Sequence, residues 1–130
     1  MPLVVIEEKT QRDIHTKKKI INSIFQDILE VFKVSPIELQ ARYYTLTEEE
    51  FFPPSHCNEN YLTIQITLFK GRTIDAKRKL YKTITHNLAN SLSIAEQDIL
   101  IILNEQPLEN WGMHGGQVAS DINLGYSINI

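Results

Sequence analysis

Two stretches of this chain, 60 positions apart, share one pattern. "QRDIHTKKKI" (11–20) lies over "GRTIDAKRKL" (71–80), pairing Arg12 with Arg72 and Lys17 with Lys77. The apolar positions beyond them repeat as well. They are Ile20, Ile21, Ile24, Ile28 and Phe32 in the first copy, and Leu80, Tyr81, Ile84, Leu88 and Leu92 in the second. Apolar residues at three- and four-residue steps share one helix face. The spacing predicts amphipathic helices over 13–33 and 73–92. A duplicated unit limits the folds open to the chain, because both copies must bury the same face in the same way.

The segments flanking the helices complete the unit. "LVVI" (3–6) reads as a buried strand and "ARYYTLT" (41–47) as a second. "LTIQITLF" (62–69) alternates Leu62, Ile64, Ile66 and Leu68 with polar residues, the mark of a half-buried strand. "DILIIL" (98–103) is almost continuously apolar, which points to a sheet centre. "SPIE" (35–38) matches "SIAE" (93–96) with a small slip in the repeat. Each copy is therefore βαβ, and the expected class is α/β (α+β). Two tandem βαβ units form a four-stranded sheet with both helices on one face. "NLGYSINI" (123–130) is expected as a short C-terminal strand, added to a neighbour's sheet. Residues 1–130 make one domain, with repeats at about 2–47 and 61–104. "EEEFFPPSHCNEN" (48–60) links them, and its Pro-Pro rules out regular structure there. No third helix is left to cover the other sheet face, so self-association is expected.

Composition narrows the function classes. The 130 residues suffice for one core. A net charge of −3 argues against general nucleic-acid binding. No apolar run approaches the ~20 residues of a membrane helix, and the N-terminus lacks the pattern of a secretory signal. Cys57 is the only cysteine, so an intrachain disulfide and a cysteine-based zinc site are both excluded. A reducing cytoplasm fits. His15, His56, His86 and His114 show no metal-ligand spacing. No metal and no cofactor is expected.

Three features are able to carry chemistry. The first is "MPLVVIEE" (1–8). Proline at a strand start is sterically harmless. If Met1 is removed, Pro2 has a free secondary amine, which titrates near pH ~8 and is moved toward neutrality by burial. That makes Pro2 a general-base candidate. The second is Arg72 in "FKGRT" (69–73), where a strand gives way to a helix. Helix N-termini attract anions, and Arg grips a carboxylate with two donors. Lys70, Arg12 and Arg42 are weaker candidates for the same task. The third is "NWGMHGGQVAS" (110–120), whose glycines surround Trp111, the only tryptophan. It reads either as backbone brought close to a ligand or as a tight turn under a packed Trp. His114 lies in it. Cys57 beside His56 makes no credible dyad, since neighbouring loop side chains seldom face each other.

Together these residues resemble the tautomerase superfamily, whose members are βαβ units with an amino-terminal proline. Pro2 before an apolar strand, with Arg12 at the strand-to-helix turn, looks like oxalocrotonate tautomerase. "ITLFKGRT" (66–73) and "NEQPLENWGMHGGQVAS" (104–120) resemble the family's arginine turn and its aromatic–Gly–x–Gly–Gly loop followed by Ala-Ser. The fused form is similar to the malonate semialdehyde decarboxylase and dehalogenase branches. The resemblance implies a homotrimer with one proline-based site per subunit. It puts the catalytic proline on Pro2, the carboxylate-binding arginine on Arg72, its companion on Lys70 and the site aromatic on Trp111. The decarboxylase branch has an Asp before its Arg-Tyr pair, where "ARYY" has Ala41 before Arg42.

The activity so implied is enol–keto tautomerisation of a small 2-oxo acid. Its rivals are a hydratase, decarboxylase or dehalogenase with Pro2 as general acid, and a non-catalytic ligand-binding or structural trimer. Phe51 and Phe52 are expected either at the site or at a subunit interface.

Overall fold

The structure, a computed structural model, describes residues 2–130. Its main elements are β1 (Leu3–Glu8), α1 (Ile14–Phe32), β2 (Gln40–Thr45), β3 (Leu62–Phe69), α2 (Ile74–Leu92) and β4 (Ile99–Gln106). The repeat is visible in the caps. Asp13 and Thr73, 60 positions apart, accept hydrogen bonds from the third backbone N–H beyond them, at 2.7 and 3.2 Å. Each satisfies one of the donors a helix start leaves free. Both helices end on a left-handed residue, Lys33 and Ser93, each at φ 55°. Single-turn 3₁₀ helices come next, at Pro36–Glu38 and Glu96–Asp98. The 60-residue offset therefore persists through these turns. The slip expected from matching "SPIE" to "SIAE" is absent, because the shared feature is the turn and not the letters.

The sheet order is β2-β1-β3-β4. β1 runs parallel to β2, β3 parallel to β4, and the two units join where β1 lies antiparallel to β3. In that seam Val5 faces its repeat-mate Gln65. The alternating residues Val4, Ile6, Leu62, Ile64, Ile66 and Leu68 are buried against Ile20, Ile24, Ile28 and Phe32 of α1 and Leu80, Ile84 and Leu88 of α2. These are the helix faces expected from periodicity, with Ile21, Tyr81 and Leu92 at their half-buried margins.

Two expectations need correction. β4 is an edge strand, not a central one. Ile99, Ile101 and Leu103 pack on the core, while Leu100 and Ile102 remain 42% and 40% exposed on the opposite face. A strand apolar on both sides looks central when only one side is in fact covered by its own chain. Residues 123–130 contain no strand among the described residues. Gly125, at φ 79°, takes its N–H to Asn123 Oδ1, and Asn129 N donates to Ser127 Oγ. These local turns break the extended run a strand requires. The tail instead crosses residues 71–73.

Asp27 and Asn87 also stand 60 apart, and they meet across the helix pair. Asn87 Nδ2 donates to both Asp27 carboxylate oxygens, at 3.0 and 3.2 Å. Asp27 is 4% exposed. Burial raises its pKa, with Asn87 pulling the other way and Glu30 adding to the rise. The folded state therefore binds this proton more readily than the unfolded one, and stability falls as pH climbs above the ordinary value of 3.8. Asp27→Asn is expected to stabilise the protein at pH 7 by about 1 kcal/mol. The gain should shrink toward pH 4, where Asp27 is increasingly protonated in both states. Urea unfolding of both proteins at the two pH values checks this.

Candidate active site

The antiparallel seam decides what lies near Pro2. Leu3 faces Thr67, so the start of β1 lies against the end of β3, and Pro2 is buried there. The C-terminus of α1, the N-terminus of α2 and the end of β4 come to this same end of the sheet. Met1, whose removal would free the Pro2 nitrogen, lies outside the described residues.

Arg72 precedes the N-cap of α2 and is only 6% exposed. Its Nη1 donates to Phe69 O at 2.9 Å, and the guanidinium lies 5.0 Å from the centre of the Phe32 ring. Its Nε is buried with no hydrogen-bond partner among the described residues. Burial lowers the Arg72 pKa, opposed by the nearby Tyr126 and Glu105. An arginine so placed remains charged in practice. Beside it, Lys77 of the first turn of α2 pairs with Glu105 of β4 at 2.6 Å. A guanidinium with a free donor, next to a helix N-terminus, suits a carboxylate.

Two residues that the sequence reading did not single out join this end. Tyr126 of the tail donates its hydroxyl to Glu38 Oε2 at 3.0 Å, and burial together with that carboxylate pushes the Tyr126 pKa up. The phenol thus stays a donor at neutral pH. Glu38 lies in the 3₁₀ turn just before β2. It was visible only as a letter of "SPIE". Nothing local marks Tyr126, which meets Glu38 across 88 positions of chain.

The remaining candidates divide. Lys70 continues the β3–β4 ladder through its N–H to Gln106 O at 2.8 Å, with its side chain exposed. Trp111 packs edge-on against Phe69, with ring centres 4.9 Å apart, in a small second core with Met113, Ala119, Tyr126 and Ile128. The glycine-rich stretch is a hairpin, Gly112–Met113 against Gln117–Val118. His114, Gly115 and Gly116 turn it at φ 53°, 84° and 90°. His114 is exposed at its tip. Arg42 does not join the cluster within one chain. It is exposed on edge strand β2 and holds Ala41 O and Gln40 Oε1. Phe51 packs on Tyr61, at the start of β3 and so at the far end of the sheet, and Phe52 is 84% exposed. No three His, Cys, Asp or Glu side chains converge as metal ligands among the described residues.

Arg12 fills the matching position of the first repeat but is occupied differently. Its Nε donates to both oxygens of fully buried Glu8, at 3.1 and 2.9 Å. Tyr43 OH donates to Glu8 too, and Lys17 lies over the Tyr43 ring. The residue 60 positions beyond Glu8 is Leu68. One arginine is thus neutralised by a carboxylate, and the second repeat has no carboxylate at the equivalent position.

The family model described as tautomerase enzyme matches residues 41–114. Probable tautomerase YusQ of Bacillus subtilis (strain 168) is 25% identical over 122 residues, covering 90% of this chain and 96% of that protein. Among solved structures, the R7 fused 4-OT asymmetric trimer has a TM-score of 0.81 at 15% identity, covering 92% of this chain and 97% of the other. Malonate semialdehyde decarboxylase has a TM-score of 0.80 at 15% identity, covering 93% and 99%.

The two arginine sites should respond oppositely to loss of a charge. Glu8→Gln leaves Arg12 buried without its counter-charge and is expected to cost about 3–5 kcal/mol in urea unfolding. Arg72→Leu removes a buried charge that has no directly bonded carboxylate among the described residues. It should leave stability unchanged or higher, as when a residue is kept for a task other than folding.

Proposed function

The chain belongs to the tautomerase enzyme family, and we propose that it catalyses enol–keto tautomerisation of a small 2-oxo acid with Pro2 as general base. The observation that carries this reading is Arg72, buried with an unpartnered Nε at the sheet end where Pro2 precedes β1. With Met1 removed, the Pro2 nitrogen takes the proton from the enol hydroxyl. The C–O bond becomes C=O, the electron pair of the C=C bond takes a proton from Pro2 at carbon, and the amine is regenerated. Arg72 holds the substrate carboxylate and offsets charge developing on the enolate. Lys70 adds positive charge at the rim. Trp111 and Phe69 form an apolar wall, which disfavours an ammonium.

A second reading has its own observation. Glu38 brings a carboxylate to the same end, held by Tyr126. A carboxylate there suits activation of water as general base, with protonated Pro2 as acid, and that is the division of labour of a hydratase or a hydrolytic dehalogenase; a decarboxylase needs the protonated Pro2 alone. The ordinary tautomerase step needs no such base.

We further read the uncovered sheet face as a self-association surface, in a homotrimer. Leu100 and Ile102 lie exposed there, and one of the similar structures is described as a trimer. No helix among the described residues is long and apolar enough to cross a membrane.

Ketonisation of phenylenolpyruvate, followed by ultraviolet absorbance, tests the assignment. Pro2→Ala should lower the rate by ~10² to 10⁴-fold. Arg72→Leu should lower kcat/KM by about tenfold to a hundredfold through the lost charged hydrogen bonds. Intact mass should show Met1 absent from active protein. Full retention of Met1, or equal rates in wild type and Pro2→Ala, rules Pro2 out. For the assembly, Ile102→Asp should convert a species of three times the chain mass into a monomer in analytical ultracentrifugation.

A further inference from the structure

The last eight residues pack onto the stretch that the tautomerase reading assigns to the substrate carboxylate. Ile130 O accepts from Thr73 N and from Thr73 Oγ1, both at 2.9 Å. These are N-cap groups of α2, immediately after Arg72. Ile128 passes so close to Gly71, at φ 144°, that a Cβ there would stand 2.7 Å from Ile128 O. Glycine is thus required on two counts, conformation and space. Tyr126 packs in both the main core and the small Phe69 core and lies near enough to Arg72 to raise its pKa. The tail reaches Gly71, the vicinity of Arg72, and Thr73 in turn.

Beyond these contacts it is held by the Tyr126 hydroxyl on Glu38 and by Leu124, Tyr126 and Ile128 in the small core. Residues 121–130 alternate between exposed and partly buried, and the side-chain hydrogen bonds within 123–130 span two residues each. Few internal contacts over a buried, incompletely bonded guanidinium describe a segment of low local stability. We propose that residues 123–130 are a displaceable strap that closes the Arg72 site and is moved aside by an anionic substrate. The Ile130 oxygen stands where a carboxylate oxygen can accept from Thr73. Arg72 Nε, unpartnered while the strap is down, gains an acceptor when a carboxylate enters. The strap then weakens apparent affinity by the reciprocal of the fraction of time the site is open. It also favours small, doubly acceptor-rich ligands that replace its bonds over bulky ones that merely push it away. This inference rests on the assignment of Arg72 as the carboxylate's partner.

The test uses malonate, a small dicarboxylate that needs no turnover. Its affinity is measured by calorimetry for the full chain, for a chain ended after Ser127, and for Tyr126→Ala. Hydrogen exchange of residues 123–130 in the full chain is followed with and without malonate. The expected result is at least about fivefold tighter binding in the shortened chain and in Tyr126→Ala, with faster exchange of the 123–130 amides in the full chain at saturating malonate. Equal affinity in all three proteins, or unchanged exchange at saturation, overturns the strap and leaves Arg72 in place. Arg72→Leu is run alongside. If it binds malonate as well as the parent chain, the underlying assignment fails, and the strap with it. The shortened chain keeps Leu124 and Tyr126 in the small core, so a folding defect in one variant is separable from the other.

Discussion

The antiparallel pairing of β1 with β3 is the constraint on which the rest of the molecule depends. Each βαβ unit has two outer strand edges; those of β1 and β3 satisfy each other at the seam where Val5 meets Gln65, and β2 and β4 remain the edges of the sheet. Because the pairing is antiparallel, the start of the first unit meets the end of β3. Pro2 therefore shares a sheet end with Arg72, although 70 positions of chain separate them. A parallel seam would have set Pro2 beside the start of β3 and left Arg72 at the opposite end. The same seam brings the helices side by side, so that Asp27 and Asn87, equivalent in the repeat, bond to one another. Two identical aspartates at that crossing would repel, and the repeat differs there.

Duplication supplied two arginines at equivalent turns, and the structure treats them as opposites. Arg12 is enclosed by Glu8 and Tyr43 and holds the far end of the sheet together. Arg72 lies by Phe32 and close to Tyr126, and the repeat-mate of Glu8 is a leucine, Leu68. A buried ion pair with good geometry is costly to break, whereas a buried charge without one is costly to keep. Only the second kind calls for an explanation outside stability, and the carboxylate-binding role proposed for Arg72 is one. Asymmetry between the repeats is concentrated in a few side chains and in the segments beyond each unit: the linker after the first, the hairpin and tail after the second.

Much of the fold was legible in the chain. The 3.6-residue periodicity placed both helices within a residue of their observed ends, and period-two alternation placed β3 at 62–69. Pro2, Arg72, Lys70 and Trp111 do converge on one end of the molecule. Arg42 lies apart from them within one chain, exposed on the edge strand β2, because a strand's two faces alternate. The Gly-rich loop proved to be a hairpin turn over a packed Trp, since three consecutive left-handed residues reverse the chain. Tyr126 and Glu38 were missed, because no periodicity links a loop residue to a partner 88 positions away.

By itself, the sequence determined the elements, their order and the duplication, because helix and strand periods and the arginine turns are encoded within a few residues of one another. Only the tertiary structure decided that β4 is an edge, that Tyr43 closes on the Glu8–Arg12 pair and that the tail lies over Gly71–Thr73. Those outcomes join segments far apart in the chain, and the first two depend on which strand edges pair and in which direction. Strand pairing joins backbone groups that every sequence possesses, so its choice is written in the packing of the whole chain and in no single stretch of it.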